Sequence, residues 1–194
     1  MTDDDVWNRL AALLPEAEAE EVGECRSIGE QEAALGLLVS GILTHRRAIS
    51  ETVRARLSVL AEDWGEREAL TPGILRCRTD GEATAVKLLE DDGSTLDGAT
   101  LDGATLDGST VDGAPVRGEP ALADLVLVPW IVCTRCGRVL MRAHDRESWG
   151  GLSCLARRYV ITAPDRVTVV QSFAAESVGD AFDSLLRKCS APSD

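Results

Sequence analysis

The spacing of apolar residues changes character near residue 72, and that change constrains the fold class more than any other feature of the 194-residue chain. Before it, apolar side chains recur every three or four residues, as on one face of a helix. After it they alternate with polar ones or run together in valine-rich stretches, as in a sheet. The expected fold class is therefore α+β. A helical bundle occupies residues 1–72, and residues 73–194 form a small antiparallel sheet with a C-terminal helix and a hairpin turn carrying two cysteines.

In the bundle, Thr2 and Asp5 stand at capping-box spacing ahead of Val6, Leu10, Leu13 and Leu14, and Pro15 ends that helix and starts the next. The second helix sets Val22, Cys25 and Ile28 three residues apart among glutamates and stops at Gly29. A third, from about Glu30 to His45, buries Leu35, Leu38, Val39 and Ile42, with Gly36 and Gly41 allowing close helix approach. Ser50 is the N-cap of a fourth helix containing Val53, Leu57, Leu60, Ala61 and Trp64, and Gly65 is its stop. The alternation of Ile74 to Arg78 predicts the first strand, and Ala85 to Glu90 another extended run. Leu122 to Cys133 predicts an interior strand with a bulge or break at Pro129, and Arg138 to Arg142 its hairpin partner. Arg158–Thr162 and Val167–Phe173 flank an Ala163-Pro164-Asp165 turn, and Ser177 caps a final helix that buries Val178, Ala181, Phe182, Leu185 and Leu186.

An insertion at 91–118 contains five quintets, Ser94–Gly98 through Ala114–Gly118, each closing on glycine. It resembles the pentapeptide-repeat family, which implies a square β-helix with the small residue and the leucine two positions on pointing inward. A coil of that kind takes about four quintets, and stacked repeats hold only when neighbours bury one another, so the Asp-Gly steps predict a hairpin insertion instead. The spacing of Asp97, Asp102, Asp107 and Asp112 matches neither an EF-hand nor a nonapeptide calcium repeat.

Twenty basic residues against 33 acidic ones give a net charge of −13, which repels phosphate backbones and anionic membranes, so neither nucleic acid nor a membrane is the expected partner. The N-terminus is acidic where a secretory signal is basic, and no apolar run reaches the ~18 residues of a span, so a cytoplasmic location is expected. In that reducing setting Cys25 and Cys77 serve as buried small hydrophobes. Cys133-Thr134-Arg135-Cys136-Gly137 has the tight spacing that aims two thiolates at one tetrahedral ion. His144, Cys154 and Cys189 are the available further ligands. His144 and Cys154 lie closest in sequence, giving Cys133, Cys136, His144 and Cys154 as the expected structural zinc site. The alternative is a thiol pair in a hairpin turn without metal. A thioredoxin-like motif fits less well, because its cysteines open a helix and Gly137 to Leu140 reads as a strand. No phosphate-binding glycine loop, serine elbow or marked nucleophile is present, His144 next to Asp145 in sequence does not place an aspartate on an imidazole nitrogen, and His45 beside Arg46 and Arg47 reads as a helix C-terminus, so no enzymatic activity is expected.

Glu16, Glu20, Glu21, Glu24, Glu30 and Glu32 concentrate negative charge on the second and third helices and are the candidate partner-binding residues. The segment from Gly29-Glu30-Gln31-Glu32-Ala33-Ala34-Leu35 through Ile49-Ser50-Glu51 to Leu60–Gly65 resembles the small helical immunity proteins of MafI type, over residues 5–66. That resemblance implies a cytoplasmic protein that binds and neutralises a toxin of competing bacteria, and the acidic surface implies a basic toxin. The cysteine-bearing C-terminal half departs from the pattern. Two other readings are a zinc-stabilised adaptor without catalytic activity and a metal-dependent hydrolase using His144 with the cysteines.

Overall fold

The structure is a computed structural model describing residues 3–89, 100–101, 104–105, 122 and 124–188, which form two compact units, Met1–Thr84 and Ala85–Asp194. The first holds five helices, α1 (Asp3–Ala11), α2 (Glu16–Ser27), α3 (Gln31–Thr44), α4 (Glu51–Asp63) and α5 (Arg67–Arg76). Local chemistry sets their ends. Pro15 occupies the N-cap of α2, and the Ser50 hydroxyl accepts from the Val53 amide at 3.2 Å ahead of α4. Gly29 and Gly65 take the left-handed φ of 88° and 72° that ends a helix without steric cost. The core is built from the periodic apolar positions, with Leu35, Leu38, Ile42, Leu57 and Ile74 fully buried.

Three expectations for this unit are corrected. Residues 74–76 are not a strand but the last turn of α5, which runs through Pro72. Leu70, Gly73, Ile74 and Cys77 stand at helical spacing, Ile74 and Cys77 are buried, and a Cβ at Gly73 would lie 2.9 Å from Cγ1 of Val39. Tertiary packing against α3 thus outweighs the hydrogen bond that proline cannot donate. Ile28, expected on the buried stripe of α2, is 71% exposed because the helix has ended one residue earlier. Of the two glycines of α3 only Gly41 permits close approach, since a Cβ there would come within 2.8 Å of both Leu14 and Glu18, whereas Gly36 faces open space. After α5 the chain returns to the α3–α4 link, where Ile49 donates to the Arg78 carbonyl and accepts from the Asp80 amide.

The second unit contains β1 (Val86–Leu88), β2 (Thr100–Leu101), β3 (Ala104–Thr105), β4 (Leu125–Cys133), β5 (Val139–Asp145), β6 (Arg158–Thr162), β7 (Val169–Ala174) and α6 (Val178–Lys188). Five of the strands form an antiparallel sheet in the order β1-β4-β5-β6-β7, with β5 at its centre. The expected irregularity at Pro129 is present as a shift in the β4–β5 register between Pro129 and Ile131. Alternation along the strands divides the sheet into two faces. One carries Leu127, Val132, Val139, Met141, Ala143 and Val160, joined by Leu89 and Leu122 from either side of the insertion. The other carries Ile131, Leu140, Ile161 and Gln171, and α6 packs on it through a hydrogen bond from the Ser184 hydroxyl to Gln171 Oε1 at 3.0 Å. Asp165 closes the β6–β7 turn by accepting from the amides of Val167 and Thr168. Of the quintet segment, Thr100 and Leu101 pair antiparallel with Thr105 and Ala104, and the rest of the predicted repeat lies outside the described residues.

In urea denaturation, Ser50→Ala is expected to cost about 1 kcal/mol through loss of the α4 cap. Ile74→Ala is expected to cost roughly 2–5 kcal/mol, the penalty of a core truncation; a loss below 0.5 kcal/mol there would contradict the helical placement of residue 74.

Candidate functional site

The cysteine turn is held by backbone geometry. The Cys133 amide donates to the Arg138 carbonyl at 2.8 Å, the Gly137 amide donates back to the Cys133 carbonyl at 3.0 Å, and Gly137 has the positive φ of 70° that closes the loop. Cys133 is fully buried and Cys136 is exposed. The five described cysteines are all thiols.

His144 and Cys154 belong to the other end of the sheet. In the β4–β5 ladder Val132 pairs with Val139 beside the cysteine turn, while His144 pairs with Val126. At a rise of about 3.4 Å per residue, Cys133 and His144 are separated by roughly 20 Å. The His144 ring, 3% exposed, donates from Nδ1 to the Ser153 carbonyl at 2.8 Å; a carbonyl only accepts, so Nδ1 carries the proton. Ser153 also receives the Asp145 amide on its hydroxyl and donates its own amide to the Asp145 carbonyl, which anchors Cys154, the next residue, at this end. The four expected metal ligands are thus divided between the two ends of the sheet, Cys133 and Cys136 at one and His144 and Cys154 at the other. Among the described residues no three His, Cys, Asp or Glu side chains are grouped as a metal ion requires.

The acidic residues of the helical unit lie as the sequence placed them. Glu16, Glu20, Glu21, Glu24, Glu30 and Glu32 are all exposed. Glu16, Glu20 and Glu24 recur every four residues on the side of α2 opposite buried Val22, so they form one stripe. Like charges at this spacing repel by a few tenths of a kcal/mol per pair (~0.2–0.5), and Glu24 also stands near the negative end of the helix dipole. Glu18, which was not among the candidates, is occupied differently: its carboxylate lies 2.7 Å from Nε2 of His45 at the α3 C-cap, joining the start of α2 to the end of α3. The sequence carries no signal for that pair, because 27 residues separate the two and only helix packing aligns them. Beside it, Glu18, Glu21, Leu37, Ser40 and Thr44 line a cleft of about 270 Å³. At the other end of α2, Arg26 pairs with Asp4 at 2.5 Å and lies over the Trp7 ring at 5.1 Å, fastening α1 to α2.

Two other buried polar arrangements are structural in form. Arg142, 5% exposed, lies over the Trp130 ring at 5.2 Å, and Trp130 in turn tilts against Tyr159 with ring centroids 6.1 Å apart. In the helical unit, burial pushes the Cys77 thiol above its ordinary value, against the pull of Arg54 and Arg76 toward the thiolate. Its folded-state value being raised, Cys77 favours the fold while protonated and withdraws that contribution as the pH climbs past 9.0. Iodoacetamide at neutral pH is therefore expected to label exposed Cys136 and Cys154 well before Cys77, read by peptide mass mapping. Equal rates would show that Cys77 is not shielded.

No protein-family model, curated protein or solved structure matches this chain.

Proposed function

We propose that this chain is an acidic binding protein that acts by stoichiometric occlusion, an immunity protein neutralising a basic antibacterial toxin in the cytoplasm. The single observation that carries this reading is the exposed Glu16/Glu20/Glu24 stripe on α2, continued by Glu21, Glu30 and Glu32, on a chain of net charge −13. The stripe repels itself at every four-residue step, and a cationic partner relieves that repulsion on contact. The resemblance of residues 5–66 to MafI-type immunity proteins points the same way. Among the described residues no helix is long and apolar enough to cross a membrane.

Complementary charge acts chiefly on encounter, so it sets the association rate more than the lifetime of the complex. The test is to identify the adjacent coding region and co-express whatever toxin it specifies: growth is rescued and a one-to-one complex is isolated if the proposal holds. Persistent toxicity with no complex at low salt overturns it. For the triple variant Glu20→Lys, Glu21→Lys, Glu24→Lys, association is expected to slow about tenfold or more at low salt while dissociation changes little. An unchanged association rate, with helix content intact by circular dichroism, removes α2 from the interface.

A further inference from the structure

The turn that carries Cys133 and Cys136 makes one loop of helix and stops. The Gly137 amide donates to the Cys133 carbonyl at 3.0 Å, an i to i+4 bond that closes a single α-turn over Thr134, Arg135 and Cys136, and the positive φ of Gly137 ends it. Residues three apart on such a turn lie on one side of it, with Cα atoms about 5 Å apart. A disulfide spans Cα separations of about 4.4–6.8 Å, so the pair stands within its reach. The backbone around the turn is fixed. The Cys133 amide donates to the Arg138 carbonyl at 2.8 Å and the Thr134 amide to the Ala85 carbonyl at 3.0 Å. Pro164 of the β6–β7 turn packs so closely on Gly137 that a Cβ there would lie 3.2 Å from its ring. The two thiols differ in access: Cys136 is exposed, whereas Cys133 is fully buried at the end of β4. An oxidant in solution therefore meets Cys136 first.

We propose that Cys133 and Cys136 are a redox-active pair, which a small-molecule disulfide of the glutathione class converts to an intrachain disulfide. Cys136 loses its proton and attacks one sulfur of the oxidised reagent, forming a mixed disulfide and expelling one thiolate. Cys133 then loses its proton and attacks the Cys136 sulfur, which breaks the mixed disulfide and expels the second thiolate. The two protons end on the two released thiols, so the pair is oxidised by two electrons and the reagent is reduced by two. Cβ atoms three residues apart on a helical turn are about 5–6 Å apart, whereas a disulfide needs roughly 3.5–4.5 Å. Closing the bond therefore strains the turn, and a strained, accessible disulfide belongs to the class that thiols reopen readily. The pair requires no metal ion, stands apart from the acidic helices and does not depend on the toxin-binding role.

The experiment treats the reduced full-length chain with oxidised glutathione, quenches it by alkylation and maps the tryptic peptides by mass. Trypsin cuts after Arg135, so the peptide ending there stays joined to Cys136-Gly137-Arg138 only through the disulfide. That linked pair is expected, and excess reduced glutathione is expected to restore both thiols. Cys136→Ser is expected to slow oxidation of Cys133 by at least about tenfold, because the buried thiol loses its exposed relay. Replacing Cys133 also perturbs the core, so exposed Cys136→Ser carries the test. Peptides that stay unlinked in excess oxidised glutathione, a link from either cysteine to a different one, equal oxidation of Cys133 in parent and variant, or a bond that reduced glutathione does not reopen overturns the assignment.

Discussion

The β4–β5 ladder joins Leu125 to Asp145 at one end and Val132 to Val139 at the other, and a slip of one residue would turn every side chain on it to the opposite face. Both faces are paved with buried residues, so the register is held by apolar burial on two sides at once. From that register come the position of β5 at the centre of the sheet, the face on which α6 lies, and the separation of Cys133 from His144. The shift at Pro129 fits the same constraint. A residue without an amide donor is accommodated in an interior strand at the point where the ladder is locally interrupted.

The helical unit obeys a different constraint. Its five helices are short, between 9 and 14 residues, and helices of that length owe their stability to the packing of one face. Close approach is bought with small residues, Gly41 beneath Leu14 and Glu18, and Gly73 beneath Val39. Polar fasteners bridge the helix pairs: Arg26 with Asp4 and Trp7, His45 with Glu18, and Arg67 with Glu62, whose side chain is only 1% exposed. The exposed pairs, Arg26–Asp4 and His45–Glu18, contribute little stability, so their role is to orient helices that burial already holds together. Buried Glu62, in contrast, needs Arg67 because a buried charge without a partner is costly. The remaining carboxylates of α2 are left at the surface as a negative stripe. In the proposed reading this row of like charges is the face that meets a cationic partner.

Much of this was legible in the chain because it is encoded locally. The Ser50 cap, the proline before α2, the glycine stops at Gly29 and Gly65, and the Asp165 turn are chemistry within four residues, and each stands where its signal placed it. The strand from Leu125 to Cys133 was equally plain, since two-sided burial writes a nearly continuous apolar run. Residues 74–76 misled because Pro72 and Gly73 carry strong breaker signals, whereas the contact that makes Gly73 valuable is with Val39, more than thirty residues away. Ile28 misled because periodicity says nothing about where a helix stops.

The sequence by itself determined the α+β class, the net charge, most helix ends and the exposure of six glutamates, because composition, period and capping are properties of neighbouring residues. Only the tertiary structure decided which distant residues meet. Proximity along the chain grouped His144 and Cys154 with the Cys133–Cys136 turn, but an extended strand carries its residues apart at about 3.4 Å each, so a hairpin sends them to opposite ends. Proximity in sequence is proximity in space only where the chain turns back. Which turns bring which ends together is set by strand register, a long-range property of the packed sheet.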